Sequence, residues 1–212
     1  VKTEQHAFGA IELIGVLAII AILTALLLPR LSRNPNQAGI PDVLPAVNEA
    51  HITEAVFAVQ SLEAAVTAHL AQFGSLGSFN GTPASVSGTY DKFSQVLLSE
   101  GIIERPFDLR LGTNSFLRLV NVSGLAATTP VDGLNGAYDL NGQGKNNVVG
   151  AAYVVEAVIP GVTEGEARAL NDRLDGPRLG ASAGNDDLLG RVIYRKPGAD
   201  ARTEVHVHVF HK

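Results

Sequence analysis

The sequence predicts an α+β protein. A long N-terminal hydrophobic helix, broken near residues 29–45, continues into an amphipathic helix packed on a mostly antiparallel β-sheet head. Three observations predict this. Residues 8–28 contain a single charged side chain, Glu12. Apolar residues then recur at spacings of three and four between Ile52 and Phe73, the period of one helical face. Beyond Gly74, stretches rich in Gly, Ser, Thr and Asn separate short β-rich runs from further helical patterns, an arrangement that suits an α+β head.

The apolar run comes first. From Leu13 to Leu28 no residue is charged and only Thr24 carries a polar side chain. Counted from Phe8 as a helix, the run spans about 31 Å at roughly 1.5 Å per residue, against a hydrocarbon core of about 30 Å. Soluble core helices seldom read apolar on every face over such a length. A secretory signal peptide fits less well, because the run outlasts an ordinary signal core and "LLPRLSR" lacks a small-x-small cleavage site. The segment therefore reads as a membrane helix.

Glu12 is costly in that setting and calls for a partner. No Lys or Arg lies within the run, so a cation must come from elsewhere, one candidate being the α-amino group of a neighbouring copy; the alternative places Glu12 at the membrane surface, favoured by the dipole of the first helical turn. The residues leave both readings open.

"AFGAIELIGVLAIIAILTALLLPRL", residues 7–31, resembles the N-terminus of type IV pilins and of the related pseudopilins of type II secretion. The features shared with that family are Ala7 before Phe8, Glu12 four residues after Phe8, the apolar helix, and Pro29 about two-thirds of the way along. The resemblance implies that residues 1–7 form a leader peptide, cut before Phe8 by a membrane aspartic peptidase that also N-methylates the new terminus. It implies that Glu12 pairs with the terminus of a neighbouring subunit during filament assembly. Two departures are Ala7 where Gly is commoner and Gly9–Ala10 where bulkier residues are usual; the latter loosens the first turn.

The remaining boundaries are residues 8–33 for the hydrophobic helix, 34–45 for a Pro-rich break carrying Pro35, Pro41 and Pro45, 46–73 for the amphipathic helix and 74–212 for the head. Pro29 and Pro35 mark the helix break. In the amphipathic helix Ile52, Val56, Val59, Leu62, Val66, Leu70 and Phe73 form the apolar face, while Glu49, Glu54, Gln60 and Glu63 fall largely outside it. Gly74 ends it.

In the head, "YDKFSQVLLSEGII" predicts a short helix with Phe93, Val96, Leu97 and Ile102 or Ile103 inward. Residues 115–122 and 147–159 predict strands. Residues 163–176 predict a helix with Thr163 as N-cap, Glu166 completing a capping box and Gly176 as the stop. "GRVIYRK" and "RTEVHVHVFHK" predict a C-terminal hairpin.

Composition excludes several classes. Of 212 residues 46% are hydrophobic and 17% charged, with a net charge of −5 and no block of Lys and Arg, so no nucleic-acid surface is expected. Without Cys there is no disulfide, Cys-ligated zinc, thiol catalysis or c-type haem. Walker, HExxH and GxSxG motifs are absent, and no catalytic triad is visible, so no enzymatic activity is expected.

Three candidate clusters remain. Asp132, Asp139 and Asn141 in "DGLNGAYDLNGQGKNN" are hard oxygen ligands that suit a calcium loop, and equally are what turns require. Lys145 and Gly150 stand where further ligands would be wanted, and Asp186 and Asp187 form a weaker acidic pair. His206 and His208 alternate on one strand with His211 near; the alternation puts them on one face with Phe210, opposite Val205, Val207 and Val209. No third ligand completes a metal site. The sequons at 80–82 and 121–123 carry little weight.

The leading expectation is a pilin that polymerises with other copies through its N-terminal helix. Its further partners are a prepilin peptidase and inner-membrane assembly machinery, and it resides in the inner membrane before assembly into an extracellular filament. The alternatives are a periplasmic type II secretion pseudopilin and, further off, a membrane-anchored module. No cofactor is required beyond the calcium option.

Overall fold

The computed structural model describes residues 43–78, 88–176, 179 and 186–212, all within the compact unit Val43–Lys212. The expected leader of residues 1–7, the expected hydrophobic helix of residues 8–33 and residues 34–42 of the expected break lie outside the described residues. Among those described, three helices and five strands form an α+β fold. The elements are α1 (Val43–Phe73), β1 (Thr89–Tyr90), α2 (Phe93–Ser99), β2 (Phe116–Asn121), β3 (Tyr153–Thr163), α3 (Glu164–Leu174), β4 (Val192–Tyr194) and β5 (Arg202–His211). The sheet order is β1-β2-β3-β5-β4, and each of these pairings is antiparallel.

Helix α1 begins three residues earlier than its periodicity predicts and takes in Pro45, which shortens the expected 34–45 break. The first-turn N–H groups of a helix have no intrahelical acceptor, so a proline there removes no hydrogen bond. Its inward face is the expected one: Ile52, Val59, Leu62 and Val66 are buried, joined by Ala55 and His69. The apolar side chains among them share the main core with Leu117 and Leu119 of β2, Val155, Ala157 and Ile159 of β3, and Val205 and Val207 of β5. Each large aliphatic side chain so buried contributes roughly 1.5–3 kcal/mol. His69 enters this face because its Nδ1 lies 2.6 Å from Glu100 Oε2 at the end of α2, with both side chains shielded from water.

Strand β3 corrects the 147–159 expectation. Residues 147–152 form a turn, closed by Ala151 N donating to Val148 O at 3.2 Å, and the strand runs from Tyr153 to Thr163. It continues past Pro160 and Gly161 because the register slips there, setting both residues opposite Glu204. A bulge accommodates a proline without an N–H and a glycine at φ 74°. Thr163 then caps α3: its Oγ1 accepts from Glu166 N, and its N–H donates to Glu166 Oε2 at 3.0 Å, the capping box expected. Gly176 follows the C-cap Asp175 at positive φ.

A second bulge corrects the reading of β5. Val155 pairs with Phe210 but Glu156 pairs with His208, so Val209 is an extra residue. The phase of alternation reverses there. Phe210 joins the main core under α1 instead of sharing the face of His206 and His208. His211 takes its place, with Nδ1 2.9 Å from His208 Nε2.

The sheet face away from α1 is covered by the segment 122–152. Tyr138, Val148 and Ala151 of that segment pack on Val120, Val154 and Ile193 in a second, smaller core.

Candidate functional site

Under the 122–152 segment, the sheet carries polar side chains on its inner strands. Glu156 of β3 pairs across the ladder with Arg118 of β2 on one side and His208 of β5 on the other. Glu156 is wholly buried. A buried carboxylate is tolerated only when its oxygens are paired. Tyr138 Oη donates to Oε2 at 2.6 Å. Oε1 accepts from Arg118 Nη1 at 3.4 Å and lies 3.4 Å from His206 Nδ1, an ion pair rather than an aligned hydrogen bond. The cluster extends outward: Arg118 Nε donates to Asp91 Oδ1 at 2.7 Å, and His206 Nε2 lies 3.0 Å from Glu204 Oε1.

These contacts set the protonation states. Burial alone would lower the His206 pKa, but Glu156 and Glu204 at its two nitrogens raise it to about 9, so the imidazole is cationic at neutral pH. The hydrogen bond from His206 holds the Glu204 carboxyl below its ordinary value against the opposing effect of burial. Burial first, then the Glu156 charge, pushes the Tyr138 phenol well up. Burial opposes the Arg118 charge, yet Asp91 and Glu156 leave its pKa raised. His208 is the opposite case: burial, the neighbouring His211 and the Arg191 charge lower it to about 3, so it is neutral. Its ring stacks edge-on against Tyr138, with centroids 5.2 Å apart.

The arrangement is an electrostatic tie between the 122–152 segment and the centre of the sheet. Its central pair, Tyr138 and Glu156, presents no atom to solvent that a substrate would reach. Beside His206 a cavity of about 100 Å³, lined by Gly133, Leu134, Tyr194 and Glu204 among others, has room for a few water molecules.

Ala7, Phe8, Glu12, Pro29 and Pro35 lie outside the described residues. Asp132, Asp139 and Asn141 each build a turn. Asp132 Oδ1 accepts from Leu134 N and Asn135 N at 2.8 and 3.1 Å. Asp139, itself buried, accepts from Gln143 N at 3.0 Å and Gly144 N at 2.6 Å, and Asn141 Oδ1 also accepts from Gln143 N. Asp139 and Asn141 therefore converge on one amide, while Asp132 serves a separate turn. Among the described residues no three His, Cys, Asp or Glu side chains gather as a metal cage would require. Asp187 is buried and accepts from Asn171 Nδ2 at 2.5 Å, which fastens the segment before β4 to α3. Asn121 of the second sequon accepts from Ser123 N and Oγ at the end of β2.

Sequence reasoning missed the Tyr138–Glu156–Arg118 cluster. The visible signal was a lone acid inside "YVVEAVI" and a lone Arg inside "FLRLV", each a charge in the middle of a run that must be buried. No protein-family model, curated protein or solved structure matches this chain.

Proposed function

We propose that the chain is a structural subunit of a type IV pilus-like filament, polymerising through its N-terminal helix. The observation that carries this reading is the ordered segment at residues 7–31: Ala7, Phe8, Glu12 four residues on, an uncharged run from Leu13 to Leu28, then Pro29. The head supports it by offering a 31-residue helix that lays one face on an antiparallel sheet. A bundle of such N-terminal helices gains little from apolar burial, because lipid already provides it; close packing and polar pairing must supply the preference for the filament. Glu12 is the charged group in the run, and the amine of Phe8 on a neighbouring copy, freed by removal of residues 1–7, is the cation it pairs with.

Co-expression of the full chain with a prepilin peptidase tests this. The wild-type chain is shortened to Phe8 and enters filaments, whereas Glu12→Ala is shortened equally but stays in the membrane fraction. Filaments of undiminished yield from Glu12→Ala would overturn the role of Glu12, and a chain that the peptidase leaves intact would overturn the leader.

A further inference from the structure

Two Asn–Gly pairs, Asn135–Gly136 and Asn141–Gly142, lie close together in the segment that covers the sheet. A glycine next in the chain leaves its backbone nitrogen unscreened by a side chain, so that nitrogen can approach the asparagine amide carbon. Both asparagines fold into the same local turn. Asn135 Oδ1 accepts from Ala137 N at 2.9 Å and Asn141 Oδ1 accepts from Gln143 N at 3.1 Å, which holds each side chain against the peptide that follows it. An N–H on that oxygen also stabilises the negative charge that develops when the carbonyl is attacked. What surrounds the two turns differs. Asn135 Nδ2 donates to Pro130 O at 3.0 Å, and Gly136 is buried, where an added Cβ would stand 2.8 Å from Val122. Asn141 and Gly142 are both exposed. Asn141 Nδ2 makes no hydrogen bond among the described residues, and Gly142 N donates to Asp139 O only at 3.4 Å. The first amide is clamped and shielded; the second has a free leaving group, a lightly held nucleophile and water at hand.

We propose that Asn141 is a site of spontaneous modification through a succinimide, and that the fold protects Asn135 from the same reaction. Gly142 N gives its proton to hydroxide and attacks Asn141 Cγ, forming a five-membered imide. The Cγ–Nδ2 bond breaks, and Nδ2 takes a proton from water and leaves as ammonia. Water then opens the imide. Cleavage between Cγ and the Gly142 nitrogen gives aspartate. Cleavage between the backbone carbonyl carbon of residue 141 and that nitrogen gives isoaspartate, with the main chain rerouted through the side chain. The sum is amide plus water to carboxylate plus ammonia, and nothing is oxidised or reduced. The product carries one negative charge beyond the formal −5 of the chain, beside Asp139, which accepts from the same Gln143 N at 3.0 Å. The change is irreversible, so it marks the age of each copy, and it does not depend on the filament reading.

The test incubates the full chain in mildly alkaline buffer made with heavy-oxygen water, then digests it with trypsin in ordinary water. Residues 119–145 form one tryptic peptide that holds both asparagines, because no Lys or Arg lies between Arg118 and Lys145. Tandem mass spectrometry locates each conversion, and the oxygen label separates those made during incubation from any made in the digest. The expected result is labelled aspartate and isoaspartate at position 141, with Asn135 converting roughly tenfold or more slowly because its two hydrogen bonds must open first. In urea the two positions are expected to convert at comparable rates. Asn141→Gln, whose longer side chain closes only a slower six-membered ring, stops the conversion at 141 and leaves Asn135 as it was. Equal rates at the two positions in the folded chain, or aspartate without isoaspartate, overturn the proposal. So does a difference that persists in urea, which would assign the protection of Asn135 to its neighbours in sequence and not to the fold.

Discussion

Tyr138 donates its phenolic hydrogen to Glu156 Oε2 at 2.6 Å, with both side chains withdrawn completely from water. One residue comes from the segment that covers the sheet and the other from its central strand, so a single hydrogen bond joins two layers of the head. A hydrogen bond to a charged group contributes about 1.5–3 kcal/mol. Tyr138→Phe keeps the ring and its packing on His208 while removing the donor. Urea unfolding of this variant is expected to show stability reduced by that amount with an unchanged slope; no change in midpoint would mean that the bond contributes nothing.

Glu156 also holds the charge of His206. Glu156→Gln leaves Arg118 and His206 facing a neutral amide, and the His206 pKa is expected to fall from about 9 towards the ordinary histidine range. NMR titration of the imidazole reads this directly. Removing one partner of a buried ion cluster costs on the order of 3–5 kcal/mol, so the variant should also be markedly less stable. A His206 pKa still near 9 would assign the shift to Glu204 alone.

The two histidines give opposite pH limbs. His206 is raised above its unfolded value near 6.5, so the folded state binds the extra proton. Its stabilisation is complete below about 6.5 and is lost as pH rises through about 9. His208 is depressed to about 3, so the unfolded state binds the extra proton. Its contribution is complete above about 6.5 and is lost as pH falls towards 3. Thermal unfolding across this range should show His206→Gln flattening the alkaline limb and His208→Gln the acid limb. If each variant altered the opposite limb, the assignment of charge states would be wrong.

Backbone geometry supplies a fourth test. Gly112 lies at φ 70°, and a Cβ there would stand 2.3 Å from Pro160 O, the carbonyl that accepts from Thr113 N at the bulge of β3. Gly74 has a similar φ of 73° but open space around it. Gly74→Ala is expected to cost about 1–2 kcal/mol from the left-handed conformation alone. Gly112→Ala should cost clearly more, since a backbone carbonyl must move. Equal losses in denaturant unfolding would contradict the tight approach.

Much of the head was legible in the sequence where the signal is local. The period from Ile52 to Val66 gave the buried face of α1, and Thr163 with Glu166 gave the start of α3, because periodicity and capping act within a few residues. Two features had no local signature. The extra residue at Val209 reverses the side-chain phase of β5 and carries Phe210 to the main core, which strict alternation places on the other face. The polar cluster draws Asp91, Arg118, Tyr138, Glu156 and His206 from five distant positions, and only the fold brings them together. β1, two residues long, is a strand only because Thr89 and Tyr90 meet Val120 and Leu119 of β2.

The central claim is that this chain polymerises after release of its leader. Its most direct test is cryo-EM of material sheared from the surface of cells that make the protein, with mass spectrometry of the N-terminus. The prediction is filaments built from this chain and beginning at an N-methylated Phe8. A chain confined to membranes, with no polymer in the sheared material, would contradict the filament; a polymer still carrying Val1 would contradict the leader and remove the Phe8 amine as the partner of Glu12.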